Sequence, residues 1–406
     1  MNKIEELIQQ LCPNGVEYKE LGEVADIGTG SNNTNEQIEN GKYPFYVRSK
    51  DVKRINTYSF DEEAIIIPGE GGIGEIFHYI NGKYGLHQRA YRIHLISDDM
   101  DTLFLYHYMK SNFKKFISKH AVSATVSSIR KPMIEKFKVP IPPLEIQKEI
   151  VKILDKFTKY VTELTSELTF RKQQYSYYRD KLLSFEDSDV KVEWKTLGEI
   201  FEFKNGLNKG KEYFGRGTPI INYMDVYKNN YIVPEKVNGL VEVNENEISR
   251  FSIRKGDVFF TRTSETVDDI GKATVLLEDI KDGVFSGFIL RARPKTNMLL
   301  PKYCAYCFST SDFRKNVVRY STYTTRALTN GGTLSNLKIP IPPLHIQEKI
   351  VEVLDNFDKV CNDLNIGLPK EIEQRQQQYE YYRDLLLTFD VNNGSLPACL
   401  PACLPA

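Results

Sequence analysis

Two stretches of this chain gather cations beside hydroxyl groups. Between residues 105 and 137 stand Lys110, Lys114, Lys115, Lys119, Arg130, Lys131 and Lys136 against one acid, Glu135, and "HAVSATVSSIRK" adds Ser123, Thr125 and Ser127. Between 302 and 337 stand Lys302, Arg314, Lys315, Arg319 and Arg326 against Asp312 alone, and "RYSTYTTRALTNGGT" adds Tyr323 and Thr325. Ammonium and guanidinium groups hold phosphates by charge, while hydroxyls donate to phosphate oxygens or base edges. The pattern suits duplex DNA gripped by its backbone, with Arg, Gln, Asn and Ser reaching the bases. A solvated helix face followed by a loop is the plainer alternative, and its recurrence in two places weakens it. Net charge is zero over 406 residues, so any such grip is local rather than a property of the whole surface.

Short β-rich runs alternate with turns around these stretches. They are "YPFYVRSKDV", "EAIIIPGEGG" and "RAYRIHLI" in the first half, and "TPIINYMDV", "GDVFFTRT" and "GFILRARP" in the second. Such runs predict a twisted sheet with helices packed beside it. At their ends Arg48, Ser49, Lys50, His87, Gln88 and Arg89, and then Asn222, Tyr223, Arg262 and Ser264, are candidate base or phosphate contacts.

Catalytic signals are poor. "GEGGIG" at 69–74 fits GxGxxG after the strand-like "AIIIP", but "EIFHYINGKYG" is too short and turn-rich to be the phosphate-binding helix, so a hairpin turn is expected. There is no GxxxxGK[ST], HExxH or GxSxG, and the "PIPP" strings lack the Asn or Asp that opens an adenine-methylating NPPF or DPPY motif. The six cysteines are irregularly spaced, and Cys304 and Cys307 form a lone CxxC with no second pair and no histidine cluster. Buried thiols are the favoured reading, with metal or redox use as the alternative. No catalytic residues and no metal site are expected.

What must position the basic stretches is a repeat. "KVPIPPLEIQ" at 138–147 recurs as "KIPIPPLHIQ" at 338–347. Upstream, "GVEYKELGEVADIGTG" at 15–30 matches "KVEWKTLGEIFEFKNG" at 191–206, pairing Tyr18 with Trp194, Gly22 with Gly198 and Gly30 with Gly206. The offset grows from 176 to 200 between these anchors, so the second copy carries 24 extra residues there. It reaches 204 where "RKQQYSYYRDKLLSF" at 171–185 meets "RQQQYEYYRDLLLTF" at 375–389. The chain is a duplication of one variable domain followed by one matched segment.

The matched segments read as long helices beginning at Pro143 and its counterpart, because proline is tolerated in a first turn and forbids helix before it. Ile146, Ile150, Ile153, Phe157, Val161, Leu164 and Leu168, then Tyr175, Tyr178, Leu182 and Phe185, recur in steps of three and four. That is a coiled-coil seam, on the order of 60 Å long for about 40 residues. The second seam runs Ile346, Ile350, Val353, Phe357, Cys361 and Leu364, then Tyr379, Tyr382, Leu386 and Phe389, and Gly367 and Pro369 in "NIGLPKEI" predict a break or stutter. Antiparallel pairing of the two copies would carry the variable domains to opposite ends of one rod, with "IEELIQQL" docking beside the C-terminal helix end. A simple surface helix is the alternative.

At 41% apolar and 27% charged residues the chain can bury sizeable cores. No apolar run approaches the roughly 18 residues of a membrane span and no secretory signal core opens the sequence, so a cytoplasmic location is expected. The expected divisions are 1–137 with a helix at 3–11, 138–186, 187–337, 338–390, and a low-complexity tail "LPACLPACLPA" within 391–406, expected to be disordered.

"YKELGEVADIGTG" and "EWKTLGEIFEFKNG", "PIPPLEIQKEIVKILDKF" and "PIPPLHIQEKIVEVLDNF", and "QYSYYRDKLLSF" and "QYEYYRDLLLTF" together resemble the specificity subunits of type I restriction-modification systems over residues 15–390. The resemblance implies an α+β fold. Two target-recognition domains of twisted β-sheet with helices are separated by two long helices forming an antiparallel coiled coil, in a pseudo-two-fold repeat. It implies that each domain reads one half of a bipartite, asymmetric double-stranded DNA site. It also implies no cofactor on this chain. Two modification subunits would use S-adenosylmethionine to methylate adenine, and restriction subunits would use ATP and Mg²⁺ to cleave. Tyr175, Tyr178, Arg179, Tyr379, Tyr382 and Arg383 are candidates for docking those partners, with seam packing as the alternative. A two-headed adaptor for protein ligands and a self-sufficient methyltransferase or nuclease are the competing classes.

Overall fold

The computed structural model describes residues 3–120, 128–186, 190–363 and 365–389. They form two compact units, one running to Thr165 and resuming at Glu371, the other spanning Ser166–Lys370. The expected tail, 391–406, lies outside the described residues.

The first unit runs α1 (Lys3–Leu11), β1 (Tyr18–Glu20), β2 (Ala25–Thr29), β3 (Tyr43–Tyr46), β4 (Lys53–Ile55), β5 (Phe60–Pro68), β6 (His78–Leu86), β7 (Ala90–Leu95), α2 (Thr102–His120) and β8 (Lys138–Pro140), and α3 (Leu144–Ser184) begins in it. Six strands form a sheet ordered β2-β7-β5-β6-β3-β4, with only β3 and β6 parallel. The run "AIIIP" makes β5 central because both of its faces are covered. Ile65 and Ile67 join the core that contains α2, while Ala64 and Ile66 join Tyr46, Tyr84 and Leu86 on the other face. The "GEGGIG" segment is the hairpin connection between antiparallel β5 and β6, with Gly71, Gly72 and Gly74 all at positive φ. Strand β6 was not expected. Its "INGKYG" reads as a turn, yet seven paired residues along β5 hold it extended.

The second unit contains the end of α3 and then β9 (Glu193–Thr196), β10 (Phe201–Asn205), β11 (Phe214–Ile221), α4 (Tyr223–Lys228), β12 (Tyr231–Ile232), β13 (Leu240–Val241), β14 (Val258–Thr261), β15 (Thr263–Ser264), β16 (Ala273–Leu276), β17 (Val284–Phe285) and β18 (Ile289–Pro294). It continues with α5 (Pro301–Ser309), α6 (Ser311–Tyr320), β19 (Thr322–Tyr323), β20 (Ala327–Leu328), β21 (Lys338–Ile341) and α7 (Leu344–Asn362), and α8 (Leu368–Leu386) starts at its edge. Its main sheet is β10-β18-β14-β16-β12, with β13-β11-β17 and β15-β20-β19 beside it. "TPIINYMDV" is not one strand. It bends at Asn222, where the Asp225 carboxylate accepts the Asn222 N–H at 2.8 Å and α4 begins.

The repeat is explained by what its residues hold. Pro142 and Pro143 place Gln147 in the first turn of α3, fully buried. Its Nε2 donates to the carbonyls of Asp99 and Pro142, both at 2.7 Å, and its Oε1 accepts the Asp101 N–H at 2.8 Å. Gln347, also fully buried, donates to Met298 O at 2.8 Å and Pro342 O at 2.9 Å and accepts the Leu300 N–H at 2.9 Å. One amide therefore ties each long helix to the loop that enters its neighbouring domain helix, α2 or α5. Asp155 and Asp355, one step along each helix, add a second tie. The first meets His107 Nε2 at 3.1 Å; the second accepts from Lys302 at 2.6 Å and Tyr306 at 2.5 Å. The paired Gly30 and Gly206 mark close approaches, since a Cβ would lie 1.8 Å from Leu86 O or 2.1 Å from Ser286 O.

Antiparallel helix pairing occurs inside each unit. In the first, Phe157 of α3 stacks on Tyr382 of α8 at 5.2 Å, in a core with Ile150, Leu154, Tyr379 and Leu386. In the second, Phe357 of α7 meets Tyr175 at 6.4 Å and Tyr178 at 5.7 Å from the end of α3. The expected break in the second helix separates α7 from α8, with the Gly367 N–H donating to Asp363 O at 3.0 Å. Helix α1 buries Ile4 and Ile8 in the same cluster as Tyr379 and Leu386, the docking foreseen for "IEELIQQL".

Candidate nucleic-acid interface

In the first unit a tight turn, His87–Gln88–Arg89, joins β6 to β7. His87 Nδ1 accepts the Arg89 N–H at 3.0 Å, and the Gln88 N–H donates to Asn32 O at 3.0 Å. This pins the turn, and the exposed Arg89 side chain stands at its tip. Arg89 Nη1 reaches Glu70 at 3.0 Å, and Arg48 Nη1 reaches the same carboxylate at 3.0 Å. The Arg89 hydrogen bond, aided by Arg48, holds the Glu70 carboxyl below the usual carboxylate range. These exposed ion pairs contribute little stability. Their effect is positional, since one carboxylate oxygen holds two guanidinium groups side by side on one rim. Gln88 Nε2 donates to Asn33 Oδ1 at 2.6 Å, and Asn32 Nδ2 to Glu36 at 2.8 Å. Burial, reinforced by Arg48 and Arg89, pushes His87 below its ordinary value.

The expected residues divide around this rim. Arg48, Gln88 and Arg89 come together on it. Ser49 donates to Asp51 O at 2.8 Å and Lys50 is exposed in the same loop after β3. Lys114 pairs with Glu75 of the β5–β6 connection at 2.5 Å. Ser128 bridges Glu70 and so brings the segment leading to exposed Arg130 beside the rim. Lys131 pairs with Glu135 in its own turn at 3.7 Å. Lys115 turns elsewhere, because neighbours on a helix are about 100° apart. It lines an open groove of about 850 Å³ with Lys119, Lys136, Lys138, Tyr108 and Phe116. Ser123, Thr125 and Ser127 lie outside the described residues.

The second unit repeats the turn with different side chains. Ser286–Gly287–Phe288 joins β17 to β18, Ser286 Oγ accepts the Phe288 N–H at 3.3 Å, and the Gly287 N–H donates to Leu207 O at 2.7 Å. Where the first unit shows Arg89, this one shows Phe288, 67% exposed. Arg262 lies beside it, its Nη1 on Gly287 O at 3.0 Å. Ser264 is buried and accepts the Thr266 N–H at 3.3 Å. Tyr323, Thr325 and Arg326 are exposed in the β19–β20 hairpin that pairs with β15, and Arg326 reaches Glu265 at 3.6 Å. Asn222 and Tyr223 sit at the start of α4, where Tyr223 stacks on Tyr227 at 5.8 Å. Lys315 is exposed, but Arg314 donates to the carbonyls of Asp268, Ile270 and Gly271 at 2.6–2.9 Å and braces that loop instead of facing outward. Phe288, Asn32, Asn33 and Glu70 were not anticipated. The signal for Phe288 was its place directly before the "ILRARP" strand, the place of Arg89 directly before "AYRIHL".

The helix residues proposed for docking also divide. Tyr175, Tyr379 and Tyr382 are buried seam residues, which favours packing for these three. Arg179 and Arg383 lie over Tyr175 and Tyr379, each at 5.7 Å, and pair with Asp180 and Asp384, each at 2.7 Å. Tyr178 and its neighbour Tyr177 are exposed, at 40% and 60%, as is Tyr381 of α8 in the first unit. Among the described residues no group of three or more His, Cys, Asp or Glu could hold a metal ion. Cys304 and Cys307 are core residues, and burial pushes both thiols up, Cys307 to about 12. Among the described residues no helix is long and apolar enough to cross a membrane.

Comparison with known proteins gives a consistent set. The family model described as the type I restriction modification DNA specificity domain matches residues 13–169 and 189–374. The EcoR124I/EcoR124II specificity subunit of Escherichia coli is 36% identical over 275 residues, 62% of this chain and 63% of that subunit, so the match spans under two thirds of its length. A Haemophilus influenzae chain described as a type I restriction enzyme specificity subunit is 28% identical over 92% of this chain and 96% of its own. The fold is shared with the S subunit of a type I restriction-modification system from M. genitalium, at TM-score 0.52 and 16% identity, covering 96% of this chain and 98% of that one.

Proposed function

Because this chain belongs to the type I restriction-modification DNA specificity family, whose members recognise DNA sequence, we propose that each of its units reads one half of a bipartite, asymmetric site. The observation that carries this reading is the doubled turn. Two equivalent frames pin the same turn at the same place, and the side chains on it differ, Arg89 with Arg48 in one and Phe288 with Arg262 in the other. Identical frames with unlike rims suit two half-sites of unlike sequence. The candidate contacts are Arg48, Ser49, Lys50, Gln88, Arg89, Lys114, Lys115, Arg130 and Lys131 in the first unit. In the second they are Asn222, Tyr223, Arg262, Ser264, Lys315, Tyr323, Thr325 and Arg326.

The chain is the non-catalytic reader, acting in the cytoplasm. The chemistry belongs to partners, two modification subunits using S-adenosylmethionine and restriction subunits using ATP and Mg²⁺. The long helices set the distance between half-sites and offer Tyr178, with Arg179 and Arg383, to the modification subunits.

The test is to express this chain with those modification subunits in a host lacking adenine methylation and to map methylated adenines by single-molecule sequencing. One asymmetric gapped motif, methylated on both strands, is expected. No motif from a complex that assembles and binds S-adenosylmethionine would overturn the reading and favour a two-headed adaptor for protein ligands.

A further inference from the structure

Phe288 has no structural task that explains its position. A single exposed phenylalanine is ordinary on a protein surface, but two observations separate this one. Its turn is held at several points, by Ser286 Oγ on the Phe288 N–H, by Arg262 Nη1 on Gly287 O, and by the Arg262 N–H on Phe288 O at 3.3 Å. Gly206 also packs so closely that a Cβ there would meet Ser286 O at 2.1 Å. An apolar side chain presented from a rigid turn loses little freedom when it binds. The second observation is equivalence. The hydrogen bond from the tip N–H to the side chain two residues back recurs at Arg89, the residue that leads the cationic rim of the first unit.

We infer that Phe288 is a sequence-reading residue of the second unit, and that its partner is the 5-methyl group of a thymine in the major groove. Hydrogen-bonding side chains such as arginine read acceptors on guanine, and the thymine methyl is the base-edge group that an apolar side chain recognises. Exposed Leu328 pairs with Thr263, next to Arg262, and exposed Tyr323 stands on the following strand of the same small sheet. The inference rests on the reading of both units as DNA readers.

The test uses the assembled complex of the full chain with its modification subunits and a duplex carrying the motif found by methylation mapping. Each thymine of the second half-site is replaced in turn by deoxyuridine, which lacks only the methyl group. Wild type is expected to lose about fourfold in affinity at one position, the worth of one buried methyl at about 0.8 kcal/mol. Phe288→Ala is expected to bind the thymine duplex more weakly, to be indifferent to that one replacement, and to respond normally to changes in the first half-site. Fourfold losses that add in the variant, or a variant that binds and methylates like wild type, would overturn the inference. A variant loss insensitive to every uracil would show that the ring contacts something other than a methyl, which also overturns it. If wild type shows no sequence preference at all, it is the reading of the units as DNA readers that fails, a result distinct from each of these.

Discussion

Replacing Gln147 by leucine would keep the side-chain volume of a fully buried position and remove three hydrogen bonds. The bond to Pro142 O is buried, and leaving its acceptor without a partner costs about 1–3 kcal/mol. The other two are half-buried, so water can replace part of each, and they cost about 0.5–1.5 kcal/mol apiece. The sum, about 2–6 kcal/mol, is a large share of the stability of an ordinary domain. For a unit of about 200 residues it corresponds to a fall of about 4–24 °C in midpoint. Calorimetry measures the midpoint, and hydrogen exchange localises the change, because the Asp101 amide should lose protection while the β5 amides keep theirs. The partners of Gln347 lie at closely similar distances, so Gln347→Leu should do the same to the second unit, with the Leu300 amide as reporter. An unshifted midpoint with Asp101 protection intact would refute the claim that one amide ties each helix to its domain.

Gly30→Ala and Gly206→Ala should each lower soluble yield and the unfolding free energy read from urea curves by about 3 kcal/mol, because the new methyl meets a carbonyl oxygen at 1.8 or 2.1 Å; wild-type unfolding curves would contradict this. Stability of the first unit should fall as pH drops below about 6.5. A histidine held below its ordinary value favours the neutral form when folded, so its contribution is present above about 6.5 and lost as pH falls through the lower folded value. His87→Gln should flatten that decline, and NMR titration of His87 with a midpoint above 6.5 would sink the idea. Arg48→Ala with Arg89→Ala should reduce the salt dependence of DNA binding by about one to two units of log–log slope, read from affinities at several salt concentrations; an unchanged slope would remove both from the phosphate contacts. Adding four residues in register to each long helix, about 6 Å or roughly two base pairs, should lengthen the gap in the methylated motif and leave its half-site letters unchanged; altered letters would defeat the spacer role.

The duplication and the helices were legible because they rest on periodicity and on proline, which act locally. Pro143 and Pro343 start helices at the next residue, and Gly367 with Pro369 ends one continuous rod. Strand β6 was hidden because "INGKYG" is locally turn-like, and only its pairing with β5 makes it extended. Gln147 and Gln347 stood in the quoted repeat, but a polar residue in an apolar helix start shows its purpose only when backbone N–H and C=O groups from 46 to 49 residues away converge on it. The basic stretches were half legible. Counting cations found Lys114 and Lys115 together, and helix geometry sends one to the rim loop and the other to a groove. Arg314 shows the same limit, since charge in a sequence does not say whether a guanidinium faces solvent or a ring of carbonyls.

Ile4 and Phe389, near opposite ends of the sequence, share one core, and each unit completes its helix pair with a segment from the other copy. The first unit is therefore closed by residues from both copies of the repeat, so its packing does not follow the order of its segments along the chain. On the proposed reading, which half of a target is read by which half of the polypeptide would follow from the rim residues and not from their order along the chain.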